Sequence, residues 1–206
     1  MSRKNCKYLI GIDEVGRGPI AGPVAVGAFI FLNPEASKLF RGVKESKQLT
    51  EEKREERFGK ILEIQKNGKN LIDFAVTFRS EKVIDTKGLS FAIKKCLEIS
   101  LKKLIKKYKI KPKEVLVLLD GGLKAPAQFI HQKTIIKGDA KEKVIALASI
   151  CAKVLRDRKM RKWGKKYPQY GFEVHKGYGT RGHYGAIRKH GLTHLHRKSF
   201  LSHRHR

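Results

Sequence analysis

Four acidic residues stand out against a basic chain. Asp13 and Glu14 are adjacent in GIDEVGRG, Asp120 closes LLDGG, and Asp139 sits in KGDAK. Asp13, Asp120 and Asp139 each fall just past the C-terminal end of a short apolar run that reads as a strand. In open α/β sheets that rim is where ligands bind. Carboxylates gathered there repel one another and raise each other's pKa unless a cation lies between them. Carboxylate oxygens suit Mg²⁺ or Mn²⁺ rather than zinc. One or two such ions activate water and stabilise the leaving oxygen of a phosphodiester. Two of the acids also have a plainer reading: Asp120 before Gly121 is a turn former, and Asp139 ahead of a helix is an N-cap. Nothing local requires two acids at Asp13-Glu14, so the constellation carries the expectation. Asp157, with Lys153 and Arg161 four residues to either side, has the spacing of surface ion pairs and reads as structural. Glu45, Glu51, Glu52, Glu55 and Glu56 read as a solvated helix start and its approach.

The rest of the composition names the partner. With 47 Lys+Arg against 19 Asp+Glu, the net charge is +28, and such a surface attracts polyanions, nucleic acid above all. A merely lysine-rich proteome would bring abundant Glu as well, and here acids are scarce. The apolar runs are far too short to span a membrane, and no secretory leader opens the chain. Cys6, Cys96 and Cys151 are scattered, with no CxxC pair, and read as buried reduced thiols of a cytoplasmic protein.

The elements that must position the acids follow from periodicity. Tyr8–Ile12 and Pro23–Phe31 read as neighbouring strands joined through a glycine-rich turn, the second with Val24, Val26, Ala28 and Ile30 on one face. Thr50 followed by Glu51 and Glu52 opens a helix that runs to about Lys66 and ends at Asn67-Gly68. Leu71–Phe78 alternates as a third strand. Leu89–Lys107 carries an apolar helical stripe with lysines on its other face. Glu114–Leu119 is dense enough for an interior strand, Thr134–Lys137 a short one, and Lys141–Trp163 is helical. Strands interleaved with helices give an α/β class, with residues 1–167 as the catalytic domain. Residues 168–206, rich in Gly, His and Arg with one helical stretch near His183–His190, read as a basic C-terminal region packed on it. His190, His194, His196, His203 and His205 read as a solvated scatter, and the terminal SHRHR as a frayed basic end.

The segments GIDEVGRGPIAGPV, SKQLT, LLDGG, KGDAKEKVIALASICAKVLRD and YGFEVHKGYGTRGHYGAIRKHGLTHLHRKSF resemble the successive signature blocks of bacterial ribonuclease HII, from about Tyr8 to Leu201. Ribonuclease HIII is similar but carries an extra N-terminal domain for which the residues before Tyr8 leave no room. The resemblance implies an RNase H-like mixed sheet flanked by helices, with a C-terminal helical region over the site. It implies metal-dependent cutting of the RNA strand of RNA/DNA hybrids and incision 5′ to ribonucleotides embedded in duplex DNA, leaving 3′-hydroxyl and 5′-phosphate ends. The catalytic, metal-holding quartet then falls on Asp13, Glu14, Asp120 and Asp139, with Mg²⁺ or Mn²⁺ as the ion. Gly16, Arg17 and Gly18 resemble the family's ribose-reading loop, where glycine lets backbone approach a 2′-hydroxyl. Tyr178 matches a tyrosine that packs on the ribose. Ser46, Lys47, His175 and Lys176 are phosphate-contact candidates. The expected enzyme is monomeric, with no membrane and no protein partner evident. A non-catalytic RNA-binding protein would account for the charge but not for three strand-end acids. A junction resolvase of the same fold would have no use for a ribose-reading loop.

Overall fold

The computed structural model describes residues 6–40, 49–68 and 70–201; Glu45, Ser46, Lys47, His203, His205 and the terminal SHRHR lie outside them. Its centre is a five-stranded sheet in the order β3-β2-β1-β4-β5. The strands are β1 (Tyr8–Val15), β2 (Val24–Phe31), β3 (Ile72–Arg79), β4 (Val115–Asp120) and β5 (Gln132–Ile135). β1 to β3 pair antiparallel, whereas β4 and β5 join parallel to β1. The helices are α1 (Glu51–Asn67), α2 (Glu81–Lys87), α3 (Leu89–Lys107), α4 (Gly138–Lys141), α5 (Lys143–Lys166), α6 (Phe172–His175), α7 (Arg181–His190) and α8 (Lys198–Leu201).

α3 covers one face of the sheet. Its stripe of Ile93, Cys96, Leu97, Leu101 and Leu104 packs with Ile10, Ile12, Val26, Val117 and Leu119. α5 covers the other face, where Val144, Leu147, Ala148 and Cys151 meet Phe29, Leu118 and the α1 residues Phe58 and Ile61. A helix on each face explains why all eight residues of β2 are buried instead of only the alternate set. The contact with α5 is unusually close because two strand positions lack side chains. A Cβ at Gly11 would stand 2.3 Å from the Val144 carbonyl carbon, and one at Gly27 2.4 Å from the Ala148 oxygen. A third cluster joins the C-terminal region to this frame: Tyr170, Phe172 and Leu195 pack with Ala21 and Met160.

Several boundaries differ from the sequence reading. β1 continues through Asp13 and Glu14, because these residues still pair with Gly27 and Val26 of β2. β5 lies two residues earlier than expected. Residues before Lys143 form the separate turn α4, so α5 starts later than Lys141. Cys96 and Cys151 are buried free thiols, but Cys6 is only half-buried. Among the described residues no helix is long and apolar enough to cross a membrane.

Candidate active site

The site follows from strand register. β1 and β4 run parallel with Ile12 opposite Leu119, so one step further along both strands Asp13 stands beside Asp120. Side chains alternate across a sheet. Ile12 and Leu119 belong to the α3 layer, which turns Asp13 and Asp120 to the α5 side. Glu14 follows at the strand's end, where Arg17 Nη1 donates to its Oε1 at 3.0 Å. The other oxygen, Glu14 Oε2, is buried without a hydrogen-bond partner. Burial holds the Glu14 carboxyl above its usual pKa, and the nearby Asp120 charge adds to this, against a lowering by Arg17.

Asp13, Glu14 and Asp120 line one cavity of about 320 Å³ together with Gly16, Arg17, Gly18 and Tyr178. Asp139, 3% exposed, is not on that lining. It reaches the neighbourhood through the preceding residue, since the Gly138 amide donates to Asp120 Oδ1 at 2.6 Å. The N-cap expectation for Asp139 is corrected: it lies within the first turn of α4, whose N-cap is Lys137.

An all-carboxylate donor set with an orphaned buried oxygen has the hard-ligand chemistry of a Mg²⁺ or Mn²⁺ site. Among the described residues no three His, Cys, Asp or Glu side chains already stand in a metal-holding group. The fit to the ion rests on the oxygen donors that line the cavity, among them the buried Glu14 Oε2 that has no hydrogen-bond partner.

Gly18 and Tyr178 adjoin on the cavity wall: a Cβ on Gly18 would be 3.6 Å from the tyrosine ring, and Tyr178 is 45% exposed. Gly16 is a different case. It has φ +91°, and a Cβ there would meet Arg156 Nε at 2.4 Å, so glycine is required by both backbone and packing.

Arg197 holds the loop that carries Gly16, Arg17 and Gly18, and a second fully buried arginine, Arg156, braces the chain that follows it. Arg197 donates from Nη2 to Gly16 O at 2.7 Å, from Nη1 to Arg17 O at 3.1 Å and from Nε to Gly22 O at 2.8 Å. Arg156 donates to Pro23 O, Lys176 O and Ala21 O. Burial, with Arg156 close by, pulls Arg197 down to about 9. Neither residue is visible as functional from local sequence. The available signal was Arg156 standing in the i, i+4 line Ala148, Ala152, Arg156 and Met160, which is otherwise apolar and buried throughout.

The Tyr178 segment is held by a chain of histidines. The Thr193 amide donates to His196 Nδ1 at 2.9 Å, which leaves the proton on His196 Nε2. That nitrogen faces His183 Nε2 at 3.1 Å, and His183 Nδ1 in turn donates to Tyr178 O at 2.8 Å. His175 stacks on His183 with ring centroids 4.2 Å apart. Burial lowers His183 to about 4 and moves His196 the same way. His196 is therefore a buried internal ligand of the loop, not part of a solvated scatter.

His175 and Lys176 also turn inward. His175 bonds Tyr170 O and accepts from the Gly177 amide, while Lys176 bonds Glu173 O and pairs with Glu51 at 3.1 Å. Glu51 and Glu55 are not merely solvated, because they pair with Arg161, and Glu55 also with Arg158, tying α1 to α5. Asp157 is corrected likewise. It is 3% exposed rather than superficial, and its partner is Lys153 at 3.0 Å. Lys153, with Arg54 and Ser149, lines the acidic cavity, a cationic wall that the sequence reading missed.

Comparison with known proteins places this fold in a class. The fold is shared with ribonuclease H2 from Pyrococcus horikoshii OT3 (27% identity, 93% of both chains, TM-score 0.67). It is also shared with Bst-RNase HIII in complex with Mn²⁺ (23% identity, 98% of this chain and 72% of that one, TM-score 0.71). It is thus an RNase H-like fold with its acids at the sheet rim. The sequence model of the family described as Ribonuclease HII matches residues 10–203. The Ribonuclease HII of Caldicellulosiruptor bescii is 41% identical over 195 residues, covering 95% of this chain and 87% of that protein. The chain belongs to the ribonuclease HII family and is accordingly a hydrolase, an endoribonuclease of the ribonuclease H type.

Proposed function

We propose that this enzyme cuts the RNA strand of RNA/DNA hybrids and nicks duplex DNA on the 5′ side of an embedded ribonucleotide, leaving a 3′-hydroxyl and a 5′-phosphate. The observation that carries the proposal is the β1–β4 register, which one step beyond the Ile12–Leu119 pair sets Asp13 beside Asp120, in the cavity that Gly18 and Tyr178 also line. Asp13, Glu14 and Asp120, with Asp139 beside them, would hold one or two Mg²⁺ or Mn²⁺ ions. Such ions supply, when bound, the Lewis acidity that activates water and stabilises a leaving oxygen.

The protein's own contribution is placement. Gly16, Arg17, Gly18 and Tyr178 form the seat for a ribose, the sugar whose 2′-hydroxyl separates RNA from DNA. Arg54 and Lys153 oppose phosphate charge inside the cavity. Arg17 also lines a second groove, about 600 Å³, with Lys94 and Lys124, which extends the cationic path for a nucleic-acid backbone. Ser46 and Lys47 stay proposed as phosphate contacts. His175 and Lys176 serve by holding the tyrosine segment. Phosphate contacts carry no base information, so cutting is largely independent of sequence.

The test is cleavage of a labelled RNA/DNA hybrid in Mg²⁺, in Mn²⁺ and in chelator by wild type and Asp120→Asn. Endonucleolytic RNA products that need the ion and vanish in the variant support the proposal. Undiminished cutting in chelator or by the variant would overturn it.

A further inference from the structure

Resting on the sugar-reading role proposed above, we propose that Arg197 is a positioning residue for sugar selection, its guanidinium aiming the backbone amides of Arg17 and Gly18 at the substrate. The inference comes from peptide geometry. A trans peptide unit is planar, with its carbonyl and the following N–H pointing in opposite directions, and no described peptide bond is cis. Arg197 is wholly buried and draws the Gly16 and Arg17 carbonyls inward at 2.7 and 3.1 Å. The N–H groups in those same two peptide units, those of Arg17 and Gly18, must therefore point away from Arg197. Arg17 and Gly18 are exposed and line the acidic cavity, with Gly18 next to Tyr178. Two amide donors are thus turned toward the place where a sugar would lie. A 2′-oxygen can accept from them, and a deoxyribose has no such atom.

The guanidinium is the right group for this task. Its rigid fork meets two successive carbonyls while Nε bonds Gly22 O at 2.8 Å, closing the loop back on itself. A lysine ammonium is a point charge on a flexible stem and cannot hold that geometry. Arg156 is the built-in control. It is equally buried, but its carbonyl partners are Pro23, Lys176 and Ala21, so it bonds neither the Gly16 nor the Arg17 carbonyl and does not set the direction of their amides.

The experiment measures affinity in chelator for two duplexes that differ by one 2′-hydroxyl, using full-length wild type, Arg197→Lys and Arg156→Lys, with folding checked by circular dichroism. The ratio of the two dissociation constants reads sugar selection. In Arg197→Lys it falls about tenfold, the effect of one to two weakened hydrogen bonds, while affinity for the all-DNA duplex is unchanged. Arg156→Lys keeps the wild-type ratio whatever its stability. A folded Arg197→Lys with the wild-type ratio, or an equal loss in Arg156→Lys, overturns the inference. Should Arg197→Lys fail to fold, ¹⁵N-labelled wild type decides: the Arg17 and Gly18 amides shift with the ribonucleotide duplex and not with the control, or the inference fails. Wild type that binds both duplexes alike would instead strike down the sugar-reading role itself.

Discussion

Acid should loosen the Tyr178 segment before it unfolds the rest of the protein. His183, buried between His175, His196 and Phe172, has its pKa lowered to about 4 from 6.5. The folded state resists protonation and the unfolded state accepts it, so stability is full above the unfolded pKa and is lost as pH falls toward the folded one. Between pH 7.5 and 5.0 those two values give a loss of about 2 kcal/mol, and about 3 kcal/mol once the fall is complete. His196, moved in the same direction, adds to it. A protonated His183 would also set two N–H groups nose to nose at the His183–His196 contact, now 3.1 Å. The assay is urea unfolding at the two pH values for wild type and His183→Gln, whose side chain does not titrate. Wild type should lose about 2 kcal/mol more than the variant over that interval. An equal loss in both proteins would show that the histidine chain is not what acid attacks.

Other outcomes follow from the same geometry. Gly16→Ala forces a left-handed backbone and a Cβ 2.4 Å from Arg156 Nε, so it should cost about 1–3 kcal/mol in chemical unfolding. Leu147→Ala, which empties a fully buried position between α5 and the sheet, should cost about 2–5 kcal/mol in the same assay. With a net charge of +28, duplex affinity should drop by about a thousandfold between roughly 50 and 200 mM salt, the loss for about six phosphate contacts. Affinity that hardly changes with salt would remove the electrostatic part of the account.

Local patterns announced much of this molecule. The apolar stripe from Leu89 to Lys107 coincides with α3, and Thr50 caps α1 by accepting from the Lys53 amide. Asp13, Glu14 and Asp120 were legible because a charge at the end of an apolar strand is conspicuous, and they share one cavity. Features that depend on tertiary partners were not legible. Arg156 and Arg197 can be buried because loop carbonyls, more than 130 residues away along the chain in five of the six contacts, supply their acceptors. His183 and His196 are 13 residues apart and meet only when α7 and the chain after it fold together. Asp157 was misjudged because helical spacing shows which side chains can pair but not which side of the helix faces the core.

One cavity joins the sheet-rim carboxylates to the loop proposed to read the sugar. The most direct measurement uses a labelled DNA duplex containing one ribonucleotide beside an all-DNA duplex of the same sequence, with Mg²⁺, with Mn²⁺ and with chelator. The expected result is a metal-dependent nick on the 5′ side of the ribonucleotide, absent from the all-DNA duplex and lost in Asp13→Asn. Cutting of both duplexes alike, or binding of both with no nick in either, would contradict it.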